Sequence, residues 1–395
     1  LTYTLILPPM KEGLALTYTQ AGLLGTGNFV GYLIFSLIGG FLAARYSSRY
    51  VISLSLVLMG VTMVLTGLAK SFPWAFAMRL LTGLGNGGAY VPAMALGSVW
   101  FTMRYRGFAT GIVSGGIGVG TMLGALLVPR ILQAYGAAGW SFAWYYLGGL
   151  VLVISGVCYT FLRARPEEIG LAPVGAASAG RAGGSGTAKG SGALQWGLVY
   201  RKKEVWHLGI VYFMYGFSYV IYMTFFAAYL KNEIGWTAGQ ASGLWALVGG
   251  LSIFCGVLWG WVSDRLGRKY GAALVYLTLA VAYLVFALFK VTPAFYLSAV
   301  LFGLSAWSIP TIMAAASGDY VGRQLAPAGL GFVTLFFGVG QALGPAVGGY
   351  LADATHTFTW AFILATAVSL VGLVGSLLLR RPQPEVEVGA AGVKA

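Results

Sequence analysis

The feature that most constrains this chain is a series of eleven apolar runs, each about as long as a membrane-spanning helix. They lie at 21–43, 51–69, 74–101, 107–128, 140–162, 205–230, 238–263, 270–289, 294–317, 328–351 and 359–379. A helix crosses the hydrocarbon core with about 20 apolar residues, whereas membrane strands would be shorter and strictly alternating. Only 9% of the 395 residues are charged, against about 25% in soluble domains. The sequence therefore predicts an all-α polytopic membrane protein.

An internal repeat divides these runs into two halves. A shift of 220 residues places Gly40-Phe-Leu-Ala-Ala-Arg45 on Gly260-Trp-Val-Ser-Asp-Arg265, and Trp140-Ser-Phe142 on Trp360-Ala-Phe362. It also places residues 1–10 inside the run at 205–230, so we expect this piece to be the end of a first helix whose start is absent from this chain. Parallel repeats of this kind are typical of transporters. The sequence predicts twelve transmembrane helices in two six-helix halves, 1–165 and 204–395, joined by a cytoplasmic linker at 166–203.

The basic residues predict an orientation. Of the 24 lysines and arginines, 18 fall in predicted loops on one side of the membrane and five on the other. The positive-inside rule makes the first side cytoplasmic, with both termini there, in an integral protein of the plasma (cell inner) membrane. The formal charge of +14 then reflects orientation, and the chain lacks the basic soluble domain that a nucleic-acid partner requires. We expect a monomer whose partners are the lipid bilayer and a small-molecule substrate.

Groups that could do chemistry are scarce. Cys158 and Cys255 both lie inside predicted helices, and no Cys/His cluster has the spacing of metal ligands. The glycine runs at 83–88 and 116–120 resemble dinucleotide loops in isolation. They lie within predicted spans, however, where small residues let helices pack closely. Because no nucleophile–base pair is present either, we expect no enzymatic activity, no cofactor and no metal.

One charged stretch carries a family resemblance. Gly260-Trp-Val-Ser-Asp-Arg-Leu-Gly-Arg-Lys269, at the cytoplasmic end of the eighth predicted helix, resembles the loop signature of the major facilitator superfamily. Arg79-Leu-Leu-Thr-Gly-Leu-Gly85 and Gly340-Gln-Ala-Leu-Gly-Pro345 are also similar to motifs of that superfamily, and the resemblance covers nearly the whole chain. It implies the major facilitator fold and alternating access, in which the two halves rock about a central cavity.

The resemblance gives this loop the role of a cytoplasmic latch. Asp264 would lie near the positive N-terminal end of the fifth helix, beside Arg106, and the turn would be formed at Gly267. The first half has only a degenerate copy, with Ala44 in the aspartate place and Ser47 in the glycine place. We therefore expect the latch to be asymmetric, with Asp264 of the second half as its main residue. The expected gating residues are Asp264, Arg265, Gly267, Arg268, Arg45 and Arg106.

In this superfamily, helices 1, 4, 7 and 10 tend to line the cavity. The fourth predicted helix carries the intramembrane cation Arg79, which is a functional candidate by default. The seventh carries a tyrosine stripe at 212–229, whose hydroxyls would lack partners if it faced lipid, so we expect it to face inward. A helix-supporting arginine and an aromatic packing seam are the alternatives. The expected substrate-binding residues are Arg79, Asn86, Tyr90, Tyr212, Tyr215, Tyr219, Tyr222 and Gln341.

A second resemblance concerns the substrate. Residues 100–120 and 318–322 look like segments of the monocarboxylate and oxalate/formate porters. The arginine of helix 8 and the lysine of helix 11 in those porters have no counterpart here, and Gln341 is the polar residue nearest the lysine position. We predict secondary active transport of a small organic anion such as a monocarboxylate, with coupling to protons left open. The alternative is an efflux antiporter for aromatic or amphipathic compounds.

Overall fold

The computed structural model describes residues 2–101, 106–172, 174, 201–321 and 326–380. Most of the predicted linker, at 173 and 175–200, lies outside the described residues. The described helices are α1 (Tyr3–Gly13), α2 (Tyr18–Tyr46), α3 (Ser48–Gly67), α4 (Phe72–Trp100), α5 (Arg106–Tyr135), α6 (Gly139–Phe161), α7 (Lys203–Asn232), α8 (Ala238–Leu266), α9 (Arg268–Leu288), α10 (Thr292–Ser305), α11 (Ser308–Val321), α12 (Ala326–Thr355) and α13 (Thr359–Leu377). Eight segments of this described part are long and apolar enough to cross a membrane.

The helix bounds repeat with the predicted offset of 220 residues. Both ends of α2 map onto the ends of α8, and both ends of α5 map onto the ends of α12. The bounds of α4 map onto 292 and 320; α10 begins at Thr292, and α11 ends one residue later, at Val321. The predicted internal repeat is therefore confirmed in the described helices.

The tenth predicted span is divided into α10 and α11 near Pro310. Proline has no amide hydrogen, and its ring excludes the carbonyl group four residues earlier, which here belongs to Ala306. That carbonyl accepts a hydrogen bond from the Tyr215 hydroxyl instead. The Leu304 carbonyl accepts one from Trp259 Nε1 at 2.8 Å. Side chains thus satisfy the backbone groups that the break releases.

Two pairs of helices form the largest contacts between the two halves. α2 packs against α12, and α5 packs against α8. The 220-residue offset exchanges α2 with α8 and α5 with α12, so the internal repeat relates the two interfaces. Both rely on backbone contact, since a Cβ at Gly22 would clash with the Pro345 carbonyl and one at Gly118 would lie 2.7 Å from the Gly249 carbonyl oxygen. Small residues permit this approach.

Contacts between the halves hold one end of the bundle shut. The end that carries Arg45, Arg49 and Arg265 is called the basic end here, and the other is called the opposite end. At the opposite end α12 caps the start of α2, and α1 is ion-paired with α7. The contacts continue inward as far as Leu33 of α2 against Gly338 of α12, near the middle of both helices. The described part of the chain is therefore closed at the opposite end.

We expect Gly83→Ala to lower the apparent melting temperature of the purified protein in detergent. A Cβ at Gly83 would clash with the backbone carbonyl of Asn28, so α4 would have to move away from α2. Overpacking of this kind costs about 1–3 kcal/mol. Gly116→Ala is the matched control, because its Cβ would meet nothing within 4 Å. Equal melting temperatures for the two variants would contradict a packing role for Gly83.

Candidate functional site

Three tyrosines of α7 form a stacked aromatic face against α12. The rings of Tyr215 and Tyr219 are 4.6 Å apart and nearly parallel, and the ring of Tyr212 lies 4.5 Å from that of Phe337. All three tyrosines are buried. The structure thus brings together three members of the predicted stripe and adds Phe337, which the sequence did not single out.

Tyr222 belongs to a different environment. Its ring lies 4.3 Å from that of Phe302 and 4.8 Å from that of Phe286, within the aromatic core of the second half. Its hydroxyl is 2.8 Å from the Ser298 hydroxyl. The tyrosines of the predicted stripe therefore lie in two different environments, and Tyr222 packs inside the second half.

Polar groups from both halves meet near the middle of the bundle. Tyr32 of α2 and Tyr90 of α4 have ring centroids 6.3 Å apart, and both lie near Tyr219 of α7. Gln341 of α12 donates its amide to the Tyr219 hydroxyl, while its Oε1 has no partner among the described residues. We call Tyr32, Tyr90, Tyr212, Tyr219 and Gln341 the central cluster. Asn86, one turn from Tyr90 on α4, is exposed.

Arg79 lies apart from this cluster, inside the first half. Its Cζ is 4.9 Å from the centroid of the Tyr3 ring on α1 and 5.0 Å from that of the Trp144 ring on α6. The side chain is only 7% exposed, and its Nε has no hydrogen-bond partner in the described part of the chain. We call Tyr3, Arg79 and Trp144 the arginine cage. Tyr3 and Trp144 were not predicted, because no local pattern shows that α1 and α6 meet at Arg79.

The predicted polar face of α4 therefore reaches two separate places. Arg79 and Tyr90 are eleven residues apart, which is about 16 Å along a helix that rises 1.5 Å per residue. The two side chains therefore start about three helical turns apart on α4. The cage lies toward the opposite end, since Arg79 is two turns from the start of α4.

At the basic end, the loop signature forms contacts within the second half. Arg268 pairs with Asp264 and lies 3.3 Å from Asp319 of α11, and its Nη1 is 3.1 Å from the Ser263 hydroxyl. Arg265 instead covers the ring of Trp261, at 4.1 Å. In this structure, which is closed at the opposite end, the signature residues therefore connect α8, α9 and α11.

The turn itself explains the glycine of the signature. Gly267 has φ of +91°, and the equivalent Ser47 of the first half adopts φ of +103°. Residues with a side chain rarely adopt this backbone conformation, which costs a residue other than glycine about 1–3 kcal/mol. Arg45 is exposed and lies 5.5 Å over the Tyr46 ring. The side chain of Arg106 lies outside the described residues.

A carboxylate that the sequence did not reveal connects the halves at the opposite end. Asp353 of α12 accepts hydrogen bonds from the backbone amides of Tyr18 and Thr19 at 2.9 and 2.6 Å, and from the Thr19 hydroxyl at 2.5 Å. A negative charge at a helix N-terminus is favourable. Nearby, Lys231 of α7 lies 2.7 Å from Glu12 of α1. Asp353 was missed because the apolar run ends at 351, which made it look like part of a loop.

Comparison with known proteins identifies one matching family model and several relatives that align with most of the chain. The sequence model of the Major Facilitator Superfamily matches residues 1–316 and 208–394. The probable sulfoacetate transporter SauU of Cupriavidus necator is 28% identical over 94% of this chain and 87% of its own length. The hexuronate transporter of Bacillus subtilis is 24% identical over 95% and 89%. Monocarboxylate transporter 12-B of Danio rerio is 26% identical over 83% and 72%.

A solved structure shares the fold. It is a bacterial homologue of the human lysosomal transporter Spinster, in an inward-facing and unoccupied conformation, with a TM-score of 0.78. It is 16% identical in sequence, and the match covers 96% of this chain and 92% of that one. The predicted all-α fold of the major facilitator type is thus confirmed.

Proposed function

The chain belongs to the major facilitator superfamily of membrane transporters, and we propose that it carries small organic anions across the bilayer by alternating access. The relatives named above are a probable sulfoacetate transporter, a hexuronate transporter and a monocarboxylate transporter, and two putative tartrate transporters from Agrobacterium vitis are 24–25% identical to the chain. These compounds share a carboxylate or sulfonate group on a short carbon skeleton. We therefore propose a substrate of this class, with monocarboxylates as one case.

The charge of the buried side chains is the main support for this proposal. Arg79 is buried, whereas no aspartate or glutamate is buried in the described part of the chain. A buried cation is costly unless something compensates its charge. A guanidinium group also binds carboxylates well, because two parallel N–H groups match two oxygens. This interior therefore favours an anionic cargo over a cationic one.

The orientation follows from the basic loops. We propose that the basic end is cytoplasmic, in accordance with the positive-inside rule. The end that is closed in this structure is then the outer end, as expected of an inward-facing state. When the halves close at the basic end instead, Asp264 would approach the start of α5 and act as the latch, with Arg265, Arg268 and Gly267 holding its turn. The central cluster would line the path between the two ends.

Uptake into proteoliposomes tests the proposal directly. We expect labelled sulfoacetate, tartrate or lactate to accumulate above the level in protein-free liposomes, and the neutral analogue lactamide not to compete. An imposed pH gradient should change the rate if protons are co-transported. Transport of neutral or cationic aromatic compounds, without transport of any of these anions, would support the efflux alternative and contradict the proposal.

A further inference from the structure

We propose that the arginine cage is an oxyanion-binding subsite, in which the indole N–H of Trp144 is the second donor beside Arg79. The subsite would take the carboxylate or sulfonate group of the substrate. This inference rests on the proposed function for the identity of its occupant. It adds a binding residue, Trp144, and a location within the first half alone.

Two buried donors in the cage lack an acceptor among the described residues. Trp144 is 2% exposed and its Nε1 has no hydrogen-bond partner there, and the same is true of Nε of Arg79. Buried N–H groups are nearly always paired, so the unpaired Nε of Arg79 and the unpaired indole N–H of the ring beside it need an explanation. Tyr3 does not share this property, because its hydroxyl donates to the Ala21 carbonyl at 2.7 Å. Tyr3 therefore offers the cage only its ring face.

The aromatic rings stabilise the arginine charge without using its hydrogen bonds. A ring face attracts a cation through its quadrupole, and Arg79 lies within 5.0 Å of two such faces. The N–H bonds of a guanidinium group lie in its own plane and still require acceptors. No buried carboxylate is available in the described part of the chain. An oxyanion from outside the protein would supply both the acceptors and the missing negative charge.

The arginine cage and the central cluster lie in different parts of the bundle, so we assign them different roles. The cage is formed by α1, α4 and α6, all in the first half, and lies about 16 Å from Tyr90 along α4. The cage shares no residue with the central cluster, and Tyr219 and Gln341 belong to the second half. We therefore expect the cage to set the affinity for the anionic group, and the central cluster to act when the substrate moves between the halves.

Trp144→Phe tests the subsite, because it keeps the ring under the guanidinium group and removes only the indole donor. We expect the dissociation constant of sulfoacetate, measured by isothermal titration calorimetry on the purified protein, to rise about tenfold or more, since hydrogen bonds to charged groups are among the stronger ones. The matched control is Trp245→Phe. Trp245 is also fully buried with an unpaired Nε1, but it lies in the second half. The control should change the dissociation constant less than about twofold.

The outcomes separate this inference from the proposed function. Unchanged sulfoacetate affinity in Trp144→Phe, with a wild type that binds and transports the anion, would overturn the subsite and leave the function standing. A wild type that transports no organic anion would overturn the function. If Trp144→Phe does not fold, wild-type protein labelled with ¹⁵N at its indoles gives a second measurement. Addition of formate should then shift an indole N–H signal, and no shift at saturating formate would overturn the subsite.

Discussion

Replacing Asp353 by alanine should open the opposite end of the bundle and reduce transport. The carboxylate accepts three hydrogen bonds from the first turn of α2 and places a negative charge at its N-terminus. These contacts join the two halves, so they exist only while the opposite end is closed. Their loss should shift the equilibrium between closed and open by about 1–3 kcal/mol, or about 5- to 150-fold in the ratio of the two populations.

Distances between spin labels measure this shift. Labels on cysteines at Lys70 and Val291, in loops of the two halves at the opposite end, should report longer distances in Asp353→Ala, in a background without Cys158 and Cys255. Thr19→Val is the matched control, because it removes one of the three hydrogen bonds and keeps the charge. We expect it to give a smaller shift. Identical distance distributions in Asp353→Ala and the parent protein would contradict a gating role for this carboxylate.

The sequence predicted the fold well because the fold depends on patterns that lie along the chain. Long apolar runs mark spans, and one constant offset of 220 residues marks the two halves. The helix bounds then repeat with that same offset, from α2 to α8 and from α5 to α12. The division of the tenth span was less visible, since apolar composition continues across Pro310. Only the position of the proline indicated it.

The candidate site was less predictable because it depends on which helices meet. The tyrosines of α7 recur every three or four residues, but α7 is surrounded by other helices, so spacing alone could not show which neighbour each side chain contacts. The structure places Tyr219 against Gln341 and Tyr222 against Phe302. Likewise, Arg79 was visible as an intramembrane charge, whereas its aromatic neighbours on α1 and α6 were not. In both cases, the surroundings of the side chain depend on contacts between residues that are distant in sequence.

Arg79→Gln should abolish anion binding while leaving a folded, monodisperse protein. Glutamine keeps polar donors in the cage but removes the positive charge that offsets the dehydration of a bound carboxylate or sulfonate. Loss of a fully desolvated charge partner typically costs about 3–5 kcal/mol, which corresponds to a loss of affinity of more than about a hundredfold. The fold should survive, because the residue removed is a buried charge that has no carboxylate partner in the described structure and whose packing partners are ring faces.

Arg79→Lys is the control that separates charge from geometry. Lysine keeps the charge but not the planar pair of donors, so we expect weak residual binding of sulfoacetate by calorimetry. Tyr219→Phe removes only a hydroxyl of the central cluster, outside the cage, and should reduce transport more than affinity. An efflux transporter for aromatic compounds predicts the reverse order, with losses at the tyrosines severe and Arg79→Gln mild. If a monodisperse Arg79→Gln variant binds sulfoacetate with wild-type affinity, Arg79 is a structural support for α1 and α6, and the charge of the cage does not select the cargo.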